Sequence, residues 1–298
     1  MPVARRHRLR YWLEGTGVWL GFAFFRLLPL DAASALGGAI ARTLGPRLAI
    51  SRKAEARLRR AMPEIDAADA ARIITRMWDN LGRVAGEYTH LDEFDLYAPD
   101  SRVEIVGKEH IDQMRDDGIG GIFFSGHFGN WEILALAAGQ NGLPLTLVYR
   151  EANNPAVELL LQKVRAAVPG RHLAKGSIGA RAALVALTKG AHLGMLVDQK
   201  LNDGIAVPFF GRDAMTAPAV ARLATRLQCP VMPARVERLG GAHFRLTVFP
   251  ALRFGATGDK DADTLAAMTQ INKILEGWIR ERPDHWFWLH RRWPEEPL

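Results

Sequence analysis

The sequence predicts an α/β protein, a single domain whose central mixed sheet is flanked by helices, behind an N-terminal helical segment suited to a membrane surface. Three observations carry this. Short apolar runs of strand type alternate with stretches of helical periodicity over the second and third thirds of the chain. The excess positive charge is confined to one end. Residues 1–60 hold 12 Lys/Arg against 3 Asp/Glu, a balance of +9; the 298-residue chain as a whole is +7, so the rest is −2. Finally, the charged end contains an aromatic, apolar run, Tyr11–Leu30. A hydrophobic content of 48% with 24% charged residues excludes disorder for the bulk of the chain. The single cysteine, Cys229, excludes an intramolecular disulfide framework and a Cys-based zinc cluster, and its surroundings predict a small buried apolar residue.

The elements follow in order. Arg5, Arg6, Arg8 and Arg10 precede the run that carries Trp12, Trp19, Phe22, Phe24 and Phe25. Glu14 and Arg26 interrupt it, and no small-residue cleavage site follows, so it reads as neither a signal peptide nor a clean span. A helix lying in the interface, its arginines on anionic headgroups, fits it better. Residues 31–60 continue helix-prone, with a break at Gly45-Pro46. Ile73, Ile74, Met77, Leu81 and Val84 predict a helix over Ile65–Tyr88. Strands are expected at Val103–Val106, Ile122–Ser125, Leu145–Tyr149, 171–173, Leu193–Val197, Val231–Val236 and Phe244–Phe249. Helices are expected at Lys108–Asp117, Ile133–Gly139, Pro155–Val168, Gly179–Lys189, Ala217–Leu227 and Asp263–Arg282. No repeat or linker divides the chain after residue 60. The expected organisation is a membrane-associating segment over 1–50 and one catalytic domain over 51–298.

One stretch carries chemistry: the strand Ile122–Ser125 followed by Gly126-His127-Phe128-Gly129-Asn130-Trp131-Glu132 and a helix. Ligands of open α/β sheets collect at the carboxyl ends of strands, and His127 sits two residues past one. Gly126 and Gly129 allow tight backbone and close approach of a substrate. An imidazole suits proton abstraction near neutral pH. Glu132, in the first turn of the next helix, is expected to fold back onto it and fix its tautomer. The alternative is a histidine that merely satisfies a turn. No Gly-x-Ser-x-Gly elbow is present and Cys229 is remote, so the nucleophile is expected to be a substrate hydroxyl or water. Two local ligands without a His-Glu-x-x-His pattern argue against a metal. The confined charge argues against a nucleic-acid surface. The C-terminal tryptophans 278, 286, 288 and 293 read either as tail packing, the preferred reading, or as a second interfacial contact.

His127-x-x-x-x-Glu132 in this setting resembles the bacterial lipid A late acyltransferases, and more distantly the phosphatidylinositol mannoside and glycerol-phosphate acyltransferases. Further blocks carry the resemblance: Leu58–Glu64; Asn80-Leu81-Gly82-Arg83 with Glu87; Val148-Tyr149-Arg150 with Asn153-Asn154-Pro155; Met195–Gln199; Val207–Gly211 with Thr216 and Ala221–Ala224; and Trp286–Trp293. The resemblance implies a glycerol-phosphate-acyltransferase-like domain, with His127 as general base and Glu132 as its partner. It implies substrate-binding roles for Arg165, Arg150, Asp198 and Gln199. Gly126, Gly129 and Asn130 are expected to bind substrate through the loop, whose backbone N–H groups would hold an oxyanion. The implied reaction moves an acyl group from an acyl carrier protein or coenzyme A thioester to a hydroxyl of a glycolipid, with no acyl-enzyme, no cofactor and no metal. The implied acceptor is a lipid A precursor, and the implied location the cytoplasmic face of the inner membrane. A different glycolipid such as a phosphatidylinositol mannoside, a hydrolase, or a non-catalytic membrane-binding relative remain open alternatives.

Overall fold

A computed structural model describes residues 2–294, apart from 150, 175 and 256. Four helices come first: α1 (Pro2–Arg26), α2 (Leu30–Leu44), α3 (Ala49–Ala61) and α4 (Ala67–Glu87). The alternating part follows as β1 (Val103–Val106), α5 (Lys108–Asp116), β2 (Ile122–Ser125), α6 (Glu132–Gln140), β3 (Leu145–Tyr149), α7 (Pro155–Arg165), β4 (Gly170–Ala174), α8 (Ser177–Thr188) and β5 (His192–Leu196). The hairpin β6 (Lys200–Phe209) and β7 (Arg212–Thr216) comes next, then α9 (Ala219–Leu227), β8 (Val231–Gly240), β9 (His243–Val248) and α10 (Lys260–Glu281).

The main sheet has seven strands in the order β1-β9-β8-β2-β5-β3-β4. All neighbours pair in parallel except β8 and β9, so the sheet is mixed and mostly parallel, as the alternating pattern predicts. β2 lies at its centre, and all four of its residues are buried. Alternation along it divides the core. Ile122 and Phe124 pack with Ile74 and Met77 of α4, Val220 of α9 and Leu275 of α10. Phe123 points the other way, into the cluster of Ile111 and Met114 from α5 and Ile133 and Leu136 from α6. The C-terminal tryptophans belong to the first cluster: Trp278, Trp286, Trp288 and Trp293 are all buried, so the tail packs on the domain. Cys229 is buried as expected.

α4 begins at an Asp66 cap, whose side chain accepts from Asp69 N–H at 2.8 Å. It packs closely against α2. A Cβ on Gly37 would meet the Gly82 carbonyl oxygen at 2.2 Å, so glycine is required for that approach. The hairpin β6–β7 is not anticipated by the sequence reading. Its turn, Phe210-Gly211, has positive φ at both residues, 52° and 69°, the geometry that suits a right-twisted hairpin. A phenylalanine in place of the usual Asn or Asp hides that signal. Its N–H donates to Glu276 Oε1 at 2.7 Å, which helps hold the conformation.

α1 docks on α7 through Trp19 Nε1–H, which donates to the Ala156 carbonyl at 3.0 Å, and through Asn154 Nδ2–H, which donates to the Tyr11 carbonyl at 2.8 Å. Arg26, the charge inside the apolar run, turns to the protein. It donates to Thr89 O at 2.9 Å, Asp92 at 2.8 Å and Glu93 at 3.0 Å. On the outer side Trp12, Leu13, Leu20, Phe24 and Leu27 are exposed. Among the described residues no helix is long and apolar enough to cross a membrane.

Candidate active site

The sheet register assembles the site. β2 and β5 are parallel neighbours, with Ser125 opposite Leu196. Each chain runs two residues further, to His127 on one strand and Asp198 on the other, so matched positions past the two strand ends meet. His127 Nδ1 and Asp198 Oδ1 are 2.8 Å apart. The His127 backbone N–H donates to Asp198 Oδ2 at 2.8 Å, and Trp286 Nε1–H donates to the same oxygen at 2.8 Å. Asp198 is thus a buried carboxylate with three donors. Burial alone would raise its pKa; the His127 charge and hydrogen bonds, with Trp286, override this and hold it at about 2. An ionised carboxylate only accepts, so the proton on the imidazole is at Nδ1, and Nε2 carries the lone pair.

Nε2 faces Gln199, whose Nε2 lies 3.3 Å away. The ring is flanked by Trp131 at 5.0 Å and Phe287 at 6.1 Å between centroids. Burial of the imidazole opposes protonation. The Asp198 carboxylate outweighs it, with a smaller push from Glu132, and raises the pKa above the ordinary value.

This corrects the expected pairing. The carboxylate hydrogen-bonded to His127 is Asp198, 71 residues away, not Glu132. Glu132 begins α6, whose N-terminus turns its side chain toward Trp131 and Arg165. Burial raises its pKa against the pull of the Arg165 charge, a Trp131 hydrogen bond and the His127 charge, so it acts on the imidazole only through space. Asp198, expected to bind substrate, is occupied by protein donors.

Arg165 also lies at the site, on the last turn of α7. It pairs with Glu158 at 3.3 Å and stacks over the Tyr149 ring at 4.1 Å. Arg150 lies outside the described residues. Gly126 has a packing reason: a Cβ there would meet the Phe128 ring at 2.6 Å and Asp198 Cγ at 3.2 Å. Gly129 has φ +52°, and its Cβ would meet the Val236 carbonyl oxygen at 2.7 Å. The Asn130 side chain is fully buried. It donates to Glu87 Oε2 at 3.1 Å and accepts the Glu132 N–H at 3.3 Å, so it serves the loop rather than a substrate. Two of the backbone donors expected to hold an oxyanion are also engaged. His127 N–H goes to Asp198, and Phe128 N–H goes to the Gly126 carbonyl at 2.9 Å.

Sequence reasoning missed Trp286 as an Asp198 donor and the polar residues Asn80 and Glu87 as neighbours of the loop. Asn80 and Glu87 fall on the buried stripe of α4 with Ala70, Ile74, Met77 and Val84. Polar side chains on an otherwise apolar helical face were the available signal. Among the described residues no group of three or more His, Cys, Asp or Glu side chains is placed to hold a metal ion.

The family model described as bacterial lipid A biosynthesis acyltransferase matches residues 4–295. A lipid A biosynthesis acyltransferase of Haemophilus influenzae is 24% identical, over 94% of this chain and 87% of its own. The lipid A biosynthesis palmitoleoyltransferase of Escherichia coli is 26% identical, over 97% and 93%. The 1-acyl-sn-glycerophosphate acyltransferase PlsC from Thermotoga maritima aligns over 86% of this chain and 98% of its own, at 14% identity and a TM-score of 0.39.

Proposed function

Because this chain belongs to the bacterial lipid A biosynthesis acyltransferase family, and so is an acyltransferase, we propose that His127 and Asp198 are its catalytic pair and that it acylates a hydroxyl of a lipid A precursor directly. The observation that carries this is the doubly held imidazole. Asp198 binds both the His127 N–H and Nδ1–H, so Nε2 presents its lone pair in a site ringed by Trp131, Phe287 and Gln199, whose amide N–H donates to it at 3.3 Å until a substrate hydroxyl takes its place.

The acceptor hydroxyl donates to Nε2. As its oxygen attacks the thioester carbonyl, the proton passes to Nε2, and the imidazolium is stabilised by Asp198. The C–O bond forms and the C–S bond breaks. The thiolate leaves and takes the proton back from the imidazolium, so His127 ends as it began. The Gln199 amide, beside Nε2, is positioned to donate to the developing oxyanion. Glu132 and Arg165 set the local field. Arg165, stacked on Tyr149 and felt by the Glu132 carboxylate, is a basic group available for a phosphate of donor or acceptor. The donor is an acyl carrier protein or coenzyme A thioester.

The exposed apolar residues of α1 support docking on a bilayer without crossing it, with the basic N-terminal region on anionic headgroups at the cytoplasmic face of the inner membrane. The acceptor then reaches the site laterally. The test is acyl transfer by the purified protein from each thioester to a lipid A precursor, read by mass spectrometry. An ester product that disappears in His127→Ala supports the proposal. Free fatty acid as the sole product, or an acyl group bound covalently to the protein as a competent intermediate, overturns it.

A further inference from the structure

We infer that the buried Glu87–Arg238 ion pair, with Asn80, is a positioning device for the His127 loop, gripping residues 129 and 130 from α4 and β8. The inference rests on the reading of His127 as the catalytic base. None of the three touches the imidazole, so they are positioning residues.

Glu87, on the last turn of α4, is fully buried, and Arg238 of β8 nearly so. Arg238 NH2 donates to Glu87 Oε2 at 3.0 Å, and NH1 donates to Oε1. Arg238 Nε donates to Asn80 Oδ1 at 2.8 Å. Ser34 Oγ–H from α2 donates to Glu87 Oε1 at 2.7 Å. A buried ion pair is a weak source of net stability compared with apolar residues of the same volume. Its hydrogen bonds to the loop give it a use that apolar residues lack.

Two straps run from this group to the loop. Asn80 Nδ2–H donates to the Gly129 carbonyl at 3.1 Å, and Asn130 Nδ2–H donates to Glu87 Oε2 at 3.1 Å. They fix the peptide units just after His127. Gly129, with φ +52°, lies against the Val236 carbonyl, two residues from Arg238 on the same strand. Asn130 also accepts the Glu132 N–H, so the same straps set the first turn of α6. His127 is therefore held between two clamps. Asp198 grips its N–H and Nδ1 from β5, while the Glu87–Arg238–Asn80 group holds the following residues from α4 and β8. Small displacements of a base from its reaction geometry cost rate steeply.

The test is Asn80→Asp, which keeps an oxygen for Arg238 Nε but removes the donor to Gly129. Asn80→Ala serves as the second variant, and Ile271→Val in α10, which takes no part in these hydrogen bonds, as a destabilised control. Acyl-transfer kinetics, thermal melting and the titration midpoint of labelled His127 by NMR are read on each. The expected result is a kcat lowered roughly 10-fold, equivalent to about 1.4 kcal/mol, with KM nearly unchanged. The His127 midpoint should fall in Asn80→Ala, because the Asp198 contact that raises it loosens; Asn80→Asp adds a carboxylate near the loop that pushes the midpoint the other way, so that variant is read by its kcat. Ile271→Val should keep the wild-type kcat and midpoint even where its melting temperature drops. A folded Asn80 variant with wild-type kcat and midpoint overturns the inference. So does a control that loses as much kcat at equal loss of melting temperature, or failure of both Asn80 variants to fold. If wild-type protein transfers no acyl group yet Asn80→Ala lowers the midpoint, the catalytic reading fails and the positioning stands.

Discussion

Replacing Asp198 by asparagine isolates the role of the carboxylate. The wild-type group accepts three hydrogen bonds: His127 N–H and Trp286 Nε1–H at Oδ2, and His127 Nδ1–H at Oδ1, each at 2.8 Å. An asparagine has one acceptor oxygen. Two donors converge on the Oδ2 position, so the amide oxygen settles there and its NH2 faces Nδ1. The imidazole must then shift its proton to Nε2, the nitrogen proposed to accept the substrate proton. The base is lost although the ring stays in place. The expected fall in kcat is about 100- to 10,000-fold, or about 2.7–5.4 kcal/mol of barrier. Glu132→Gln, which touches the imidazole only through charge, should cost roughly 10-fold or less. Initial rates of transfer with saturating thioester, on proteins shown folded by near-UV circular dichroism, decide it. A folded Asp198→Asn enzyme within about fivefold of wild type refutes the tautomer argument. The reverse ordering of the two variants identifies Glu132 as the true partner.

Further outcomes follow from the same geometry. Trp286→Phe removes one donor to a buried carboxylate and should lower the rate roughly 10- to 100-fold, checked by kinetics alongside a melt. Gly126→Ala forces a methyl against the Phe128 ring and Asp198, so activity should collapse, and wild-type rates would show that the loop relaxes. Because Asp198 raises the His127 pKa above its usual value, kcat should fall on the acid side around that raised pKa. Any residual activity of Asp198→Asn should carry an acid limb at lower pH. Asp198 lies at about 2 when folded against an ordinary 3.8, so its contribution to stability is present above pH ~4 and lost as the pH falls through 2, a loss that Asp198→Asn lacks in acid melts. Replacing Trp12, Leu20 and Phe24 together by glutamate should release the protein from anionic vesicles while leaving activity on detergent-dispersed acceptor. Point changes suit this better than truncation, since α2 packs on α4 and Ser34 bonds to Glu87.

What the sequence determined is what short-range physics encodes. A short apolar run bounded by glycines located β2 and the helix-prone stretch after it located α6, and two glycines and a histidine past a strand end marked the candidate loop. The buried stripe of α4 was legible from Ile74, Met77 and Val84. The burial of the C-terminal tryptophans followed from the preferred reading of that cluster. The partner of His127 was decided only by the tertiary structure. Glu132 is near in sequence, but the turn into α6 points it at Trp131 and Arg165. Asp198 is 71 residues away, and it meets the imidazole because β5 is the parallel neighbour of β2 in a register that pairs Ser125 with Leu196. Strand order is a global property, set by which faces bury together, and no local window contains it. The same reason hid Trp286, Arg238 and the role of Asn130. Each makes its decisive hydrogen bond across 43 to 151 residues, where only the packed chain brings donor and acceptor together.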